Sequence, residues 1–253
     1  MTITFLGTGT SQGVPVIACN CEVCTSADPR DERLRTSILI EAQGKVIVVD
    51  SGPDFRYQML RAKVQWLDAI VFTHEHKDHI AGLDDIRAFN YKQQAAIDVY
   101  ADRRVQAALK REFYYIFEEN KYPGIPQLTL HTIGSEPFNI GKVNFIPIEV
   151  MHHKLPVLGF RIDDFTYITD AKTVSDEEKE KIRGSKVLVI NALQKQTHIS
   201  HFTLDEAIAF AEDIGAEKTY FTHISHRLGK HQAVSEMLPP NIELAYDGLR
   251  LEF

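Results

Sequence analysis

The segment His74-Glu75-His76-Lys77-Asp78-His79 constrains this chain more than any other feature. It places four potential metal ligands within six residues, directly after the apolar run Ala69-Ile-Val-Phe-Thr73. Imidazole and carboxylate are the side chains expected around zinc, manganese or iron. Alternate residues of an extended turn point the same way, so His74 and His76 can share one ion. Asp78 and His79 would then turn toward a second. A strand that ends in such a loop holds polar groups at one edge of a sheet, and a chain of this kind has to build that sheet.

The rest of the pattern supplies it. Val- and Ile-rich runs alternate with helical periodicity, which predicts an α/β fold. Strands are expected at 3–6, 37–41, 45–49, 69–72, 97–100, 143–150, 159–162, 166–168, 187–190, 219–221 and 243–245. Helices are expected at 55–63, 103–117, 175–183, 204–214 and 231–238. Ser175 to Glu178 and Thr203 to Glu206 both read as capping boxes. Further polar residues follow apolar runs: Asp50 after Val46–Val49, Asp170 after Tyr167–Thr169, and His223 after Thr219–Thr222. There is no repeat, low-complexity tract or long linker, so residues 1–253 read as one domain.

Charge narrows the partners. Lys plus Arg is 28 and Asp plus Glu is 35, for a net charge of −7. An acidic chain offers no general field for nucleic acid. No apolar run reaches the roughly 18 residues of a membrane span. The start Met1-Thr-Ile-Thr-Phe-Leu-Gly7 has no basic leader of the secretory kind, so a cytoplasmic location is expected. The three cysteines, Cys19, Cys21 and Cys24, form an odd, crowded set. In a reducing compartment such a set suggests a metal site rather than a disulfide framework.

These motifs carry a resemblance. The His74–His79 segment resembles the His-x-His-x-Asp-His pattern of the metallo-β-lactamase superfamily. The opening Phe5-Leu-Gly-Thr-Gly-Thr-Ser-Gln-Gly-Val-Pro15 is similar to the start of the tRNase Z and PhnP branch, and the match continues through Asp50, His152, Asp170, His201, His223 and His226. It implies a four-layer αββα sandwich with two divalent metals, zinc or manganese, at one edge. By the resemblance, His74, His76 and His152 hold the first ion. Asp78, His79 and His223 hold the second, and Asp170 bridges them. His152 is preferred to His153 because His152-x-Lys-Leu resembles the family spacing. Asp50 resembles an acid that orients a ligand histidine, with a strand-end cap as the alternative. Cys19, Cys21, Cys24 and His226 would close a structural zinc site. Asp78, Asp170 and His201 take catalytic roles, His201 as the acid that protonates a leaving group.

The implied activity is hydrolysis of a small cyclic phosphodiester by a bridging hydroxide, in a protein that forms a homodimer. A tRNase Z-like endonuclease, a glyoxalase II-like thioesterase and a metal-binding protein without turnover stand as alternatives. No long basic arm resembling the tRNA clasp is visible in the sequence, nor a C-terminal helical domain of the glyoxalase II type.

Other features are read as structural. Gly7-x-Gly9-x-x-x-Gly13 is one residue too long in its last gap for a dinucleotide fingerprint. His131, His198 and His231 are assigned to surface or packing. Phe113–Phe117 is assigned to packing, with a lid continuing through Tyr122–Pro126 as the alternative. Asp84-Asp85 is read as a solvated or helix-start pair.

Overall fold

The computed structural model describes residues 1–119 and 122–253. The strands are β1 (Thr2–Gly7), β2 (Ser37–Ala42), β3 (Lys45–Val49), β4 (Ala69–Val71), β5 (Ile97–Ala101), β6 (Leu128–Thr132), β7 (Phe138–Ile140), β8 (Val143–His152), β9 (Leu155–Ile162), β10 (Phe165–Tyr167), β11 (Val187–Asn191), β12 (Lys218–Thr222), β13 (Ile242–Leu244) and β14 (Arg250–Glu252). The helices are α1 (Phe55–Arg61), α2 (Lys77–Ile80), α3 (Arg87–Gln93), α4 (Arg103–Glu112), α5 (Tyr114–Phe117), α6 (Asp176–Ile182), α7 (Leu204–Ile214) and α8 (His231–Ser235).

Strand alternation sorts these side chains into layers. Ile38, Ile40, Ile47 and Val49 point into a core shared with Phe145, Phe160, Phe165 and Tyr167. Their neighbours Leu39 and Val48 point outward, under Phe55, Met59, Phe89 and Leu109 of the helices. On the far side, Leu188, Ile190 and Phe221 lie under Ala207, Phe210, Ala211 and Ile214. Strands buried on both faces need continuous apolar runs, which is why Val46-Ile-Val-Val49 carries no polar alternation. The result is the αββα sandwich.

Each layer is a seven-stranded mixed sheet, in the orders β14-β1-β2-β3-β4-β5-β6 and β13-β12-β11-β10-β9-β8-β7. The pairings β3–β4–β5–β6 and β10–β11–β12–β13 are parallel. Parallel strands deliver their carboxyl ends to one edge, where α/β sheets hold their ligands. Asp50, His74, Asp170 and His223 all follow such ends.

Several boundaries differ from expectation. β6, β7 and β14 are short edge or near-edge strands without a strong apolar run. The expected helix at 103–117 breaks at Phe113, whose backbone leaves the helical region (φ −119°, ψ 41°). Phe113 and Ile116 still pack in the core, as the packing reading requires. The lid reading crosses Asn120 and Lys121, which lie outside the described residues. Thr203 and Glu206 form a complete capping box. At Ser175 only half of one forms, because the Glu178 side chain accepts from the Glu149 amide and Lys181 instead. α2 and α3 are too short or too polar to show clear periodicity; α2 consists largely of the metal motif itself. Asp84 and Asp85 lie in the 3-10 turn Leu83–Ile86 that precedes α3.

Candidate metal centre

The motif folds as two geometries in sequence. His76 is extended (φ −64°, ψ 149°) and caps α2, so Asp78 and His79 fall in its first turn. His74 and His76 therefore lie on the extended arm, with ring centres 4.6 Å apart. His152 joins them at 5.2 Å from His76. Its Nδ1 lies 2.8 Å from the Ser200 carbonyl and donates to it, which leaves Nε2 free. His153 occupies the left-handed position of the β8–β9 turn (φ 57°) and is exposed. Hairpin geometry thus turns His152 inward and His153 out.

Asp170 lies between two histidine groups. Its Oδ1 faces His74 Nε2 at 4.0 Å and His201 Nδ1 at 3.9 Å. Its Oδ2 faces His79 Nε2 at 3.3 Å and His223 Nδ1 at 3.2 Å. Asp78 Oδ2 is 3.2 Å from the same His79 nitrogen. His74 and His79 are fully buried, and Asp170 and His223 nearly so. His74 Nε2 and His79 Nε2 nevertheless have no hydrogen-bond partner. Native interiors rarely leave buried nitrogens unpaired, and two of them aimed at carboxylates are what bound cations would satisfy. The donor set therefore fits the metals.

The surrounding residues fix those ligands. Asp50 Oδ2 is 2.7 Å from His79 Nδ1, and Asp50 also accepts from the Thr73 amide and hydroxyl. Burial pushes the Asp50 carboxyl up, while the His79 ring opposes that rise. Burial also resists ionisation of Asp170, yet the His223 and His79 rings hold its carboxyl well below the usual range. Asn191 accepts from the Ala171 amide at 2.6 Å and donates to the Ala171 carbonyl at 3.0 Å, clamping the turn that carries Asp170. Asp50, Asp170 and His223 all adopt positive φ (64°, 56° and 54°), a strained conformation held by this network. Close packing adds a further constraint: a Cβ on Gly52 would stand 2.0 Å from the Asp78 carbonyl.

Thr10, Thr73, Thr169 and Asn191 take part in this network and were not singled out in the sequence. Thr10 Oγ1 and Thr169 Oγ1 each lie 3.3 Å from a different nitrogen of His223. Isolated threonines and asparagines carry no spacing signal. His201 is 7% exposed, with its ring centre 4.4 Å from that of His152 and 4.9 Å from that of His223. Burial pushes it down to about 3, and its Nδ1 has no partner. His198, read as surface or packing, has its ring centre 5.1 Å from that of His201, with the two rings tilted by 40°. His231, also read so, is buried, its Nδ1 accepting from Arg33 at 3.1 Å. His131 bonds Asp98 at the surface, as read.

The second cluster is built on loops. Cys19, Cys21 and Cys24 place their sulfurs 3.3, 3.4 and 3.5 Å from His226 Nδ1. Tetrahedral bonds of ~2.3 Å to sulfur and ~2.0 Å to nitrogen put such atoms about 3.5 Å apart. The Cys24 amide approaches Cys21 Sγ and helps hold that thiol at about 6. Burial pushes Cys24 up to about 11.

Fold and centre together define a metallo-β-lactamase fold with a candidate metal centre at its sheet edge. A family model described as a beta-lactamase superfamily domain matches residues 45–224, and the chain belongs to the metallo-β-lactamase superfamily, in its PhnP-like branch. A crystal structure described as a new diphosphatase from the PhnP family shares 41% identity at TM-score 0.94, covering 100% of this chain and 97% of that one. An octanoyltransferase of Porphyromonas gingivalis is 41% identical over 98% of this chain and 51% of its own length. The chain thus spans about half the length of that relative. Zinc-bound PqqB of Methylobacterium extorquens shares the fold at TM-score 0.81 and 19% identity, covering 100% of each chain.

Proposed function

We propose that this chain hydrolyses a P–O bond at a phosphorus carrying two bridging oxygens, as in a small cyclic phosphodiester. A diphosphate diester presents the same kind of phosphorus, and the 41% identical PhnP-family diphosphatase favours it as the second reading. The carrying observation is Asp170, whose two oxygens face separate histidine groups. His74, His76 and His152 would hold one ion; Asp78, His79 and His223 the other; Asp170 would serve both. Such an ion pair supplies positive charge for phosphoryl oxygens and an activated water. Cys19, Cys21, Cys24 and His226 would hold a structural zinc.

The chain's own residues do the rest. Asp50 orients His79, and the Ser200 carbonyl orients His152. The oxygen of water forms the new bond to phosphorus as the bond to the leaving oxygen breaks. A leaving alkoxide needs a proton; a leaving phosphate does not. His201 stands beside Asp170 with Nδ1 unpaired, positioned to contact a phosphoryl oxygen; an anionic phosphoryl group beside it would raise its proton affinity and let it deliver that proton to an alkoxide.

The test is a panel run on metal-reconstituted protein: a cyclic ribose phosphate, bis(p-nitrophenyl) phosphate, a nucleoside diphosphate sugar, a thioester and a pre-tRNA. Diester and diphosphate substrates should exceed the last two by roughly 10²-fold in kcat/KM. Preference for the thioester or the pre-tRNA would overturn the reading. No turnover of any substrate at full metal content would leave a metal-binding protein.

A further inference from the structure

Each candidate ligand set straddles the two sheets, and the sheets are joined differently beside each. Asp78 and His79 follow β4 of one sheet, and His223 follows β12 of the other. Beside them the backbone closes the seam. The Ile224 amide donates to the Thr8 carbonyl at 2.8 Å, and the Thr10 amide donates to the Ile224 carbonyl at 3.1 Å. His74 and His76 also follow β4, while His152 ends β8 of the opposite sheet. Here one backbone bond crosses, from the Leu158 amide to the Thr73 carbonyl at 3.1 Å, on the strand side of His74. Beyond it a side chain, Arg104, makes the link.

Arg104 lies in the first turn of α4, which Asp102 caps by accepting from the Val105 amide at 2.7 Å. Asp102 Oδ2 is also 3.5 Å from Arg104 Nη2 and helps aim it. That nitrogen donates to the Pro156 carbonyl and stands 3.7 Å from Glu75 Oε2. Pro156 lies opposite Met151 in the β8–β9 hairpin, next to the pair His152–Leu155. Glu75 lies between His74 and His76, and residues of an extended arm alternate in direction. The two imidazoles therefore face the centre while Glu75 faces α4, as does Lys77, which pairs with Glu112. Glu75 Oε2 is buried and has no hydrogen-bond partner. Such an oxygen depends on a neighbouring cation, whose removal would leave its charge uncompensated. One guanidinium thus joins the arm of His74 and His76 to the hairpin of His152, and it forms no hydrogen bond or ion pair with Asp78, His79 or His223.

We infer that Arg104 is a positioning residue for the ion held by His74, His76 and His152: by gripping Glu75 and the Pro156 carbonyl together it fixes the spacing of those three imidazoles, and with it the affinity of that ion alone. The inference rests on the two-ion reading proposed above and deepens it, because it makes the two ions unequal. The ion at Asp78, His79 and His223 depends on a backbone seam and on Asp50. The other depends on one partly exposed arginine, which a single substitution removes.

The test reads zinc held rather than turnover. The unaltered full chain and Arg104→Gln are loaded with zinc and equilibrated with chelators of graded affinity, and the retained zinc is counted by elemental analysis. In Arg104→Gln one release step should move to about 10–100-fold weaker affinity, with the others within about threefold. Charge alone predicts the opposite sign, since losing a cation near a dication tightens its binding. His152→Gln should abolish the same step, and adding Arg104→Gln to it should move the remaining steps by less than about twofold. Arg111→Gln, the same charge change elsewhere on α4, should shift no step by more than about twofold. The metal-free variants should melt within about 3 °C of the unaltered chain, so that the shift reports the ion and not the fold. Should Arg104→Gln fail to fold, Arg104→Lys decides: it keeps the charge, loses the guanidinium fork, and should weaken the same step by about threefold or more. An unshifted or tightened step, equal shifts in every step, or an equal shift in Arg111→Gln would overturn the inference. Fewer than three zinc equivalents in the unaltered chain would overturn the two-ion reading with it, whereas three equivalents and an unshifted step would overturn the inference alone.

Discussion

The two candidate ligand clusters have only histidine in common and differ in almost everything else. The His/Asp centre lies at strand ends, fully buried in its core, with charged oxygens shared between ligand groups and two imidazole nitrogens unpaired. The Cys/His knuckle lies on loops, half-buried, and its four candidate ligand atoms gather around one point, with the Val16 and Cys24 amides on two of the sulfurs. A shared carboxylate and an exposed member, His76, leave room for a substrate. A closed set of three sulfurs and one nitrogen leaves none. The difference teaches how one fold separates holding from reacting. Rigid sheet edges carry the strained, over-charged groups, while the knuckle ties the loop of Cys19–Cys24 to the loop that runs on from His223.

Removing the bridge should show the contrast most strongly. Asp170→Asn keeps the size of the side chain and removes its charge. Loss of several kcal/mol of transition-state stabilisation, a fall in kcat of about 10³-fold or more, is expected with the melting temperature nearly kept. Unchanged turnover at saturating metal would remove Asp170 from the centre.

His201 sharpens the reacting side. His201→Ala should slow an alkyl phosphodiester by roughly 10²-fold or more, and a p-nitrophenyl ester far less, with metal content unchanged. Equal losses on both esters would point to phosphate binding, and no loss would reject a catalytic role.

Cys21→Ser addresses the holding side. It should release one zinc and lower the melting temperature, because a structural ion contributes folding free energy directly. The remaining metal should stay with the His/Asp centre, so elemental analysis should fall by one equivalent. A variant that keeps both its zinc and its melting temperature would erase the distinction.

The smallest expected effect lies outside both clusters, at His231. Burial, and then the Arg33 guanidinium beside it, pushes this ring down to about 4. A histidine depressed in the folded state is bound neutral. Its stabilisation is complete above about pH 6.5 and is lost as pH falls toward 4, because the unfolded chain takes up the proton first. Below pH 6.5 the protein should lose on the order of 1–2 kcal/mol through this group, or about 2–6 °C. His231→Gln should flatten that part of the melting profile, and an identical profile would rule the group out.

The order of the elements and most of the side chains that meet at the two clusters were legible in the sequence. The β3 and α7 boundaries match their apolar runs, and α7 also carries the Thr203 capping box. The His74–His79 spacing encodes its own bend, since an extended arm followed by a helix start separates the ligands. That information is local: a strand's period and a motif's spacing lie within a dozen residues. The family resemblance already implied His152 over His153, and the physical reason is the β8–β9 turn, whose left-handed position exposes His153 and leaves His152 half-buried. The grip of Asp50 on His79, and of Asn191 on the Asp170 turn, joins residues 29 and 20 positions apart. His226 meets the cysteines across more than 200 residues, a contact the family resemblance implied and spacing alone could not give. Those pairings are set by how two sheets pack face to face and which loops then meet at their edge. Only the tertiary structure decides that, because a side chain carries its chemistry in the sequence but acquires its partners by burial.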